Sequence, residues 1–179
     1  MKNILLAGFG GQGILFAGKQ LAVAGMELDK NISWLPSYGP EMRGGTANCS
    51  VIISDEPIGS PLVTKPDILI AMNTPSYDKF IDKVVENGCV IADSSLINSR
   101  TERKDISAYY IPATVMASDN NLDGLANVII LGYLMKITGL FDIEYFDNIL
   151  TGETAKKKPL LAEKNKQALY LGYNYTYEG

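Results

Sequence analysis

Histidine is absent from this 179-residue chain. That excludes Ser–His–Asp and Cys–His nucleophilic chemistry, and it removes the commonest metal ligand. Cysteine is scarce. Cys49 and Cys89 are the two present, forty residues apart, and no C-x-x-C occurs. Such a chain has no thiolate set for an iron–sulfur cluster or a zinc site. Each cysteine sits in an apolar, strand-like stretch, which reads as a buried small hydrophobe. Positive charge is not in excess either: the formal net charge is −4. The one basic run, Lys156–Lys157–Lys158, reads as a solvated face rather than a nucleic-acid footprint. The longest apolar stretch, Val128 to Met135, is too short to span a bilayer. No signal-peptide pattern accompanies Met1–Lys2–Asn3. The expectation is a cytoplasmic protein with no membrane and no nucleic-acid partner.

What is there is a core. Apolar residues make up 46% of the chain, enough for one globular domain. Asn3–Ala7 is a short buried strand, and GFGGQG follows at Gly8–Gly13. Gln12 to Ala24 has helical spacing, with Gly25 as its C-cap. Asn31–Leu35 is a second strand stopped by Pro36, Ser37–Gly45 a loop, and Thr46–Ser54 a third strand. Asp55–Pro66 carries three prolines and reads as a connection. Asp67–Met72 is a fourth strand. Asn73–Thr74–Pro75 starts a helix that ends near Asn87–Gly88. Strands at Cys89–Ala92 and Ala108–Ile111 follow, then a long helix at Asn121–Thr138 with an apolar middle that must be buried in the core or against a partner. Helical stretches near Ile143–Leu150 and Leu160–Leu171 flank a break at Thr151–Lys158 that reads as a hinge. Strands alternating with helices give an α/β class with a largely parallel, Rossmann-like sheet. The whole chain, 1–179, reads as a single domain with a C-terminal helical segment at 156–179.

Read as G-x-G-x-x-G, GFGGQG offers free backbone N–H groups at Gly10, Gly11, Gln12 and Gly13, a geometry that suits a phosphate or carboxylate. A nicotinamide site also wants an acid at the end of the second strand. That strand ends in Leu35–Pro36–Ser37, and Asp29 precedes it. No Walker pattern is present, since Lys19 lies six residues after Gly13. Glycines for tight strand–helix packing are the alternative reading of the loop.

The second loop, PSYGPEMRGG at Pro36–Gly45, is more specific. It follows the second strand, at the carboxyl edge that also carries the glycine loop. Arg43 is suited to clamp a phosphate or carboxylate, with Glu41 orienting it; a surface ion pair between the two is the other reading. Asn73, at the same edge, either hydrogen-bonds a ligand or neighbour, or caps the helix that follows. Tyr38 reads as an interface anchor, and Tyr170, Tyr173, Tyr175 and Tyr177 as tail residues.

Four segments in order, GFGGQG, PSYGPEMRGG, SDEPIGSP and PDILIAMN, resemble the gamma subunits of 2-oxoacid:ferredoxin oxidoreductases, over about Lys2 to Leu140. The second is similar to the 2-oxoglutarate and branched-chain members. The resemblance implies a three-layer α/β/α unit, as in the gamma domain of pyruvate:ferredoxin oxidoreductase. It implies a complex that converts a 2-oxo acid, coenzyme A and oxidised ferredoxin into acyl-CoA, carbon dioxide and reduced ferredoxin. Thiamine diphosphate, Mg2+ and iron–sulfur clusters then belong to partner chains, none to this one. The partners are alpha and beta subunits, a ferredoxin-like delta subunit and ferredoxin, with coenzyme A as co-substrate. No G-D-G…N-N thiamine motif is present here, so the chain alone is expected to be inactive. Gly10, Gly11, Gln12, Gly13, Arg43 and Asn73 are the candidate binding residues; Tyr38, Glu41, Gly44 and Gly45 are the candidate interface. A stand-alone nucleotide-binding protein and the related indolepyruvate oxidoreductase subunit are the alternatives.

Overall fold

The computed structural model describes residues 1–37 and 47–177. The elements are β1 (Lys2–Gly8), α1 (Ile14–Met26), β2 (Asn31–Ser37), β3 (Ala47–Ser54), β4 (Ile68–Ala71), α2 (Thr74–Phe80), β5 (Cys89–Asp93), β6 (Ser107–Ile111), α3 (Ala113–Asp119), α4 (Ala126–Thr138), α5 (Ile143–Lys157) and α6 (Pro159–Asn174). The six strands form one sheet in the order β2-β3-β1-β4-β5-β6.

Alternation along β1 sorts the core into two faces. Ile4 and Leu6 join α1, α3, α4 and parts of α5 and α6 in one cluster; Leu5 and Ala7 join α2, Val63 and Ile97 in the other. Helices therefore lie on both sides of the sheet, the expected three-layer α/β/α arrangement. The sheet itself is mixed. β1, β4, β5 and β6 are parallel neighbours, whereas β3 runs against both β1 and β2. The reason is in the connection. Nine residues separate β2 from β3, fewer than a parallel crossover needs but enough for an antiparallel return.

Local departures from the sequence reading have local causes. β2 continues through Pro36 to Ser37, because it is the edge strand and the missing N–H needs no partner on its outer side. Gly25 is not a cap but a buried position inside α1, where a Cβ would collide with Ile32 Cδ1. α2 ends at Phe80 and tightens into a 3-10 turn at Ile81–Lys83. The expected long helix from Asn121 starts at Ala126. Asn121 (φ 56°) and Gly124 (φ 81°) are left-handed and separate it from α3. α5 runs through the expected hinge to Lys157, leaving Lys158 as the only break before α6.

α4 is buried from Asn127 to Met135, in the core and against α6. Two glycines allow that crossing. A Cβ on Gly132 would fall inside the Leu169 carbonyl oxygen, and one on Gly172 inside that of Ile129. After α6 the chain packs rather than trails. Tyr175 meets Tyr133 edge-on at 5.4 Å, and Lys136 Nζ donates to the Tyr175 carbonyl at 2.7 Å. Tyr177 lies 6.0 Å from Tyr110, which belongs to the opposite face of the sheet. The tail thus passes around the β6 edge.

Candidate functional site

β1 and β4 are adjacent, but the helices that follow them, α1 and α2, pack on opposite faces. Their carboxyl ends therefore border a topological switch point, the place where open α/β sheets bind ligands. The glycine loop lies there, and Gln12 closes it. Gln12 Oε1 accepts from the Phe9 N–H at 2.6 Å, and Nε2 donates to the Met72 carbonyl at 2.8 Å. One side chain thus ties the end of β1 to the end of β4. It fits because Gly8 has no Cβ, which would sit 2.6 Å from Gln12 Oε1.

The loop glycines divide by task. Gly11 (φ 90°) and Gly13 (φ 74°) hold left-handed backbone. Gly13 is also crowded: Asn127, at the start of α4, donates Nδ2–H to its carbonyl at 3.1 Å and occupies the space a Cβ would take. Gly10 is neither left-handed nor crowded; its lack of a side chain leaves the backbone open to approach. Gly13 is the N-cap of α1 and supplies no side-chain cap, so the first amides of α1 keep no side-chain partner among the described residues. Gly8, Gly11 and Gly13 serve packing and turn geometry and Gly10 is open, whereas the Gln12 N–H, expected free, donates to the Phe9 carbonyl at 3.3 Å.

Asn73 is the N-cap of α2. Its Oδ1 accepts from the Ser76 N–H at 2.8 Å, its Nδ2 reaches Gln12 Oε1 at 3.5 Å, and it is buried. Its side chain holds the switch point together, as a cap and not as an open donor.

β2 ends at Ser37 and β3 begins at Ala47, which pairs with Gly8 of β1. Tyr38, Glu41, Arg43, Gly44 and Gly45 belong to the intervening segment and lie outside the described residues.

Asp93 escaped the sequence reading. It is fully buried at the end of β5, where its carboxylate accepts from the Ser95 N–H at 3.0 Å, the Thr114 N–H at 3.1 Å and Thr114 Oγ1 at 2.5 Å. Ser95 Oγ accepts from the Val115 N–H at 3.1 Å. The first turn of α3 is therefore capped from the β5 loop. The available signal was an acid two residues before a serine at a strand end, an Asx-turn pattern.

A cavity of about 330 Å3 opens between the glycine loop, the start of α3 and the start of α4, lined by Gln12, Met72, Leu96, Thr114, Ala117 and Asp123 among others. Phe9, Phe16, Leu96 and Val115 are exposed along the same edge. A larger cavity of about 580 Å3, around Lys65 and Val84, lies at the opposite, amino edge.

Both thiols are held protonated. Burial pushes Cys49 up to about 12, and desolvation raises Cys89, which is half-buried, to about 11. Two separated, neutral thiols do not fit an iron–sulfur cluster. Among the described residues, no group of three His, Cys, Asp or Glu is placed to hold a metal ion. No helix among them is long and apolar enough to cross a membrane.

The family described as Pyruvate ferredoxin/flavodoxin oxidoreductase matches residues 3–175. The chain is 39% identical to 2-oxoglutarate synthase subunit KorC of Methanocaldococcus jannaschii, over 99% of this chain and 95% of that one. It is 38% identical to ketoisovalerate oxidoreductase subunit VorA of Methanothermobacter thermautotrophicus, over 98% of this chain and 36% of VorA. The chain spans about a third of the length of the VorA relatives it matches. The solved gamma subunit of a keto/oxoacid ferredoxin oxidoreductase from Geobacter sulfurreducens superposes with a TM-score of 0.81 at 27% identity, covering 97% of this chain and 96% of that one. The match runs over residues 3–175 and nearly end to end with KorC, and the chain belongs to the pyruvate ferredoxin/flavodoxin oxidoreductase family.

Proposed function

We propose that this chain is the gamma subunit of a 2-oxoacid:ferredoxin oxidoreductase that acts on 2-oxoglutarate. The observation that carries the reading is the end-to-end similarity to KorC, a subunit of 2-oxoglutarate synthase. The complex would oxidatively decarboxylate the 2-oxo acid, transfer the acyl group to coenzyme A and reduce ferredoxin. Thiamine diphosphate on partner chains would supply the electron sink for the carbon chemistry. This chain, with neither a thiamine motif nor cluster thiolates, would contribute no redox centre. Its part is assembly and the coenzyme A channel, through one gamma-type domain that includes α6.

The carboxyl edge is the working surface in this reading. Gly10 and the first turn of α1 would present backbone, and Gln12 and Asn73 lock the edge in shape. Arg43 would hold coenzyme A phosphate, with Glu41 orienting it. Tyr38, Gly44 and Gly45 would meet partner chains. A branched-chain 2-oxo acid is the second reading, favoured by the comparable identity to VorA.

The test is anaerobic purification of the tagged chain from its native host. Alpha and beta chains and a ferredoxin-like chain are expected to accompany it. Turnover with 2-oxoglutarate and coenzyme A should exceed that with branched-chain 2-oxo acids. Recovery of the chain alone with a bound nucleotide would refute the subunit reading. Within the complex, Arg43→Ala should raise the coenzyme A KM and leave thiamine content unchanged. An unaltered KM in an intact complex would remove Arg43 from the channel.

A further inference from the structure

The sheet has two edges, and the chain treats them differently. At β6 its own tail crosses the edge, with Tyr177 against Tyr110. At β2, among the described residues, no backbone hydrogen bond reaches the outer side of Asn31–Ser37. An open edge is a template for another strand, and charged side chains are the usual guard against that. β2 reads NISWLPS and carries no charge. Apolar side chains are exposed elsewhere too, at the carboxyl edge and at the start of α6. β2 differs because Trp34 and Leu35 are exposed on opposite faces of a strand whose outer backbone is also unpaired.

Pro36 sets the phase of that edge. It has no N–H, yet the pairing with β3 continues through Ser37. The ladder therefore uses Asn31, Ser33, Leu35 and Ser37, and Ile32, Trp34 and Pro36 turn their backbone groups outward. The outward row is N–H and C=O at Ile32, the same at Trp34, and C=O alone at Pro36. This row is complementary to itself about a twofold axis at Trp34. Each Trp34 exchanges both bonds with its counterpart, and each Ile32 N–H donates to the Pro36 carbonyl of the other copy. The strands overlap along their full length, and the missing Pro36 donor leaves only the outermost Ile32 carbonyl to water.

The side chains agree with that register. On the α1 face Trp34 meets Trp34 and Ile32 meets Pro36; on the other face Ser33 lies opposite Leu35. Trp34 already lies beside Gly18 of α1, and α1 packs over β3. Across the junction the two β3 strands stand three strand spacings apart, about 14 Å. Packed helices need roughly 8–10 Å, so the two α1 helices do not collide, and the Trp34 rings take the space between them.

We infer that β2 is the contact between two copies of this chain, paired antiparallel about Trp34 into one continuous sheet.

The test is analytical ultracentrifugation of the full chain. The native chain should show a monomer–dimer equilibrium in the micromolar range, since a single strand edge makes a small interface. Ser33→Lys with Leu35→Lys sets like charges opposite each other and should weaken dimerisation at least about tenfold. Ser33→Lys with Leu35→Glu sets opposite charges there and should restore it. Leu35 is exposed and Ser33 half-buried, and thermal unfolding checks that both double variants keep the fold. Mixing Ser33→Cys chains with Leu35→Cys chains should give a disulfide-linked dimer under mild oxidation that neither gives alone, because this register brings only that pair to a Cα separation of about 4.5 Å. A native chain that stays monomeric at roughly 1 mM would overturn the inference and assign the edge to a different chain. Double variants that dimerise alike would overturn it too, and move the contact to a different surface.

Discussion

Gly13→Ala and Gly10→Ala separate the glycine that shapes the loop from the glycine that opens it. Gly13 has φ 74°, where an alanine costs about 1 kcal/mol or more. Its new methyl would also take the place of Asn127 Nδ2, which now donates to the Gly13 carbonyl at 3.1 Å. Asn127 is buried, and its Oδ1 already lacks a partner. Losing that bond leaves the buried Asn127 Nδ2 donor unsatisfied, while the Gly13 carbonyl still accepts from the Ala17 N–H at 2.9 Å, at a cost of about 1–3 kcal/mol. The total is about 2–4 kcal/mol, and in a chain of this size it lowers Tm by roughly 5–15 °C. Gly10 has no left-handed φ, and a Cβ there meets nothing within 4 Å. Gly10→Ala should therefore hold Tm within about 2 °C. Thermal unfolding followed by circular dichroism measures both. Equal Tm for Gly13→Ala and the native chain would refute the Asn127–Gly13 tether, and a large loss in Gly10→Ala would refute the open edge.

Four further outcomes follow from the packing and the thiols. Gly172→Ala should destabilise by about 2–3 kcal/mol, because the methyl forces α4 and α6 apart. Gly152→Ala, at an exposed position of α5, should stabilise by up to about 1 kcal/mol; urea midpoints of opposite sign would establish both. Truncation after Asn174 uncovers the β6 edge and should promote self-association, read by analytical ultracentrifugation; a strictly monomeric truncated chain would argue against the strap. Cys49 is raised from 9.0 to about 12 by burial, so its neutral form contributes stability that is fully present below pH 9 and is lost as pH rises towards 12. Cys49→Ala should therefore lose less stability than the native chain between these values, and parallel curves would contradict that assignment.

Much of the switch point was legible in the sequence. The buried run Asn3–Ala7, the glycines after it and the 3.6-residue spacing from Ile14 specify strand, loop and helix locally, and Asn73–Thr74–Pro75 carries its own capping signal. Composition excluded histidine chemistry and a cluster of thiolates before any coordinates. What stayed hidden depends on residues far apart in the chain. Asn127 meets Gly13 across 114 positions, and Gln12 meets Met72 across 60. Asp93 caps a helix that begins twenty residues later. The direction of β3 was hidden for a related reason. Alternation sets which face a side chain takes but not which way the strand runs, so the short connection from β2 and the pairing with β1 decided it. Tyr170 and Tyr173 belong to α6, whereas Tyr175 and Tyr177 carry no helical period and take their places against the rings of Tyr133 and Tyr110. Local pattern determined the elements of this protein. Close packing among them determined which glycine must remain a glycine, which carboxylate is buried, and which backbone at the carboxyl edge stays open.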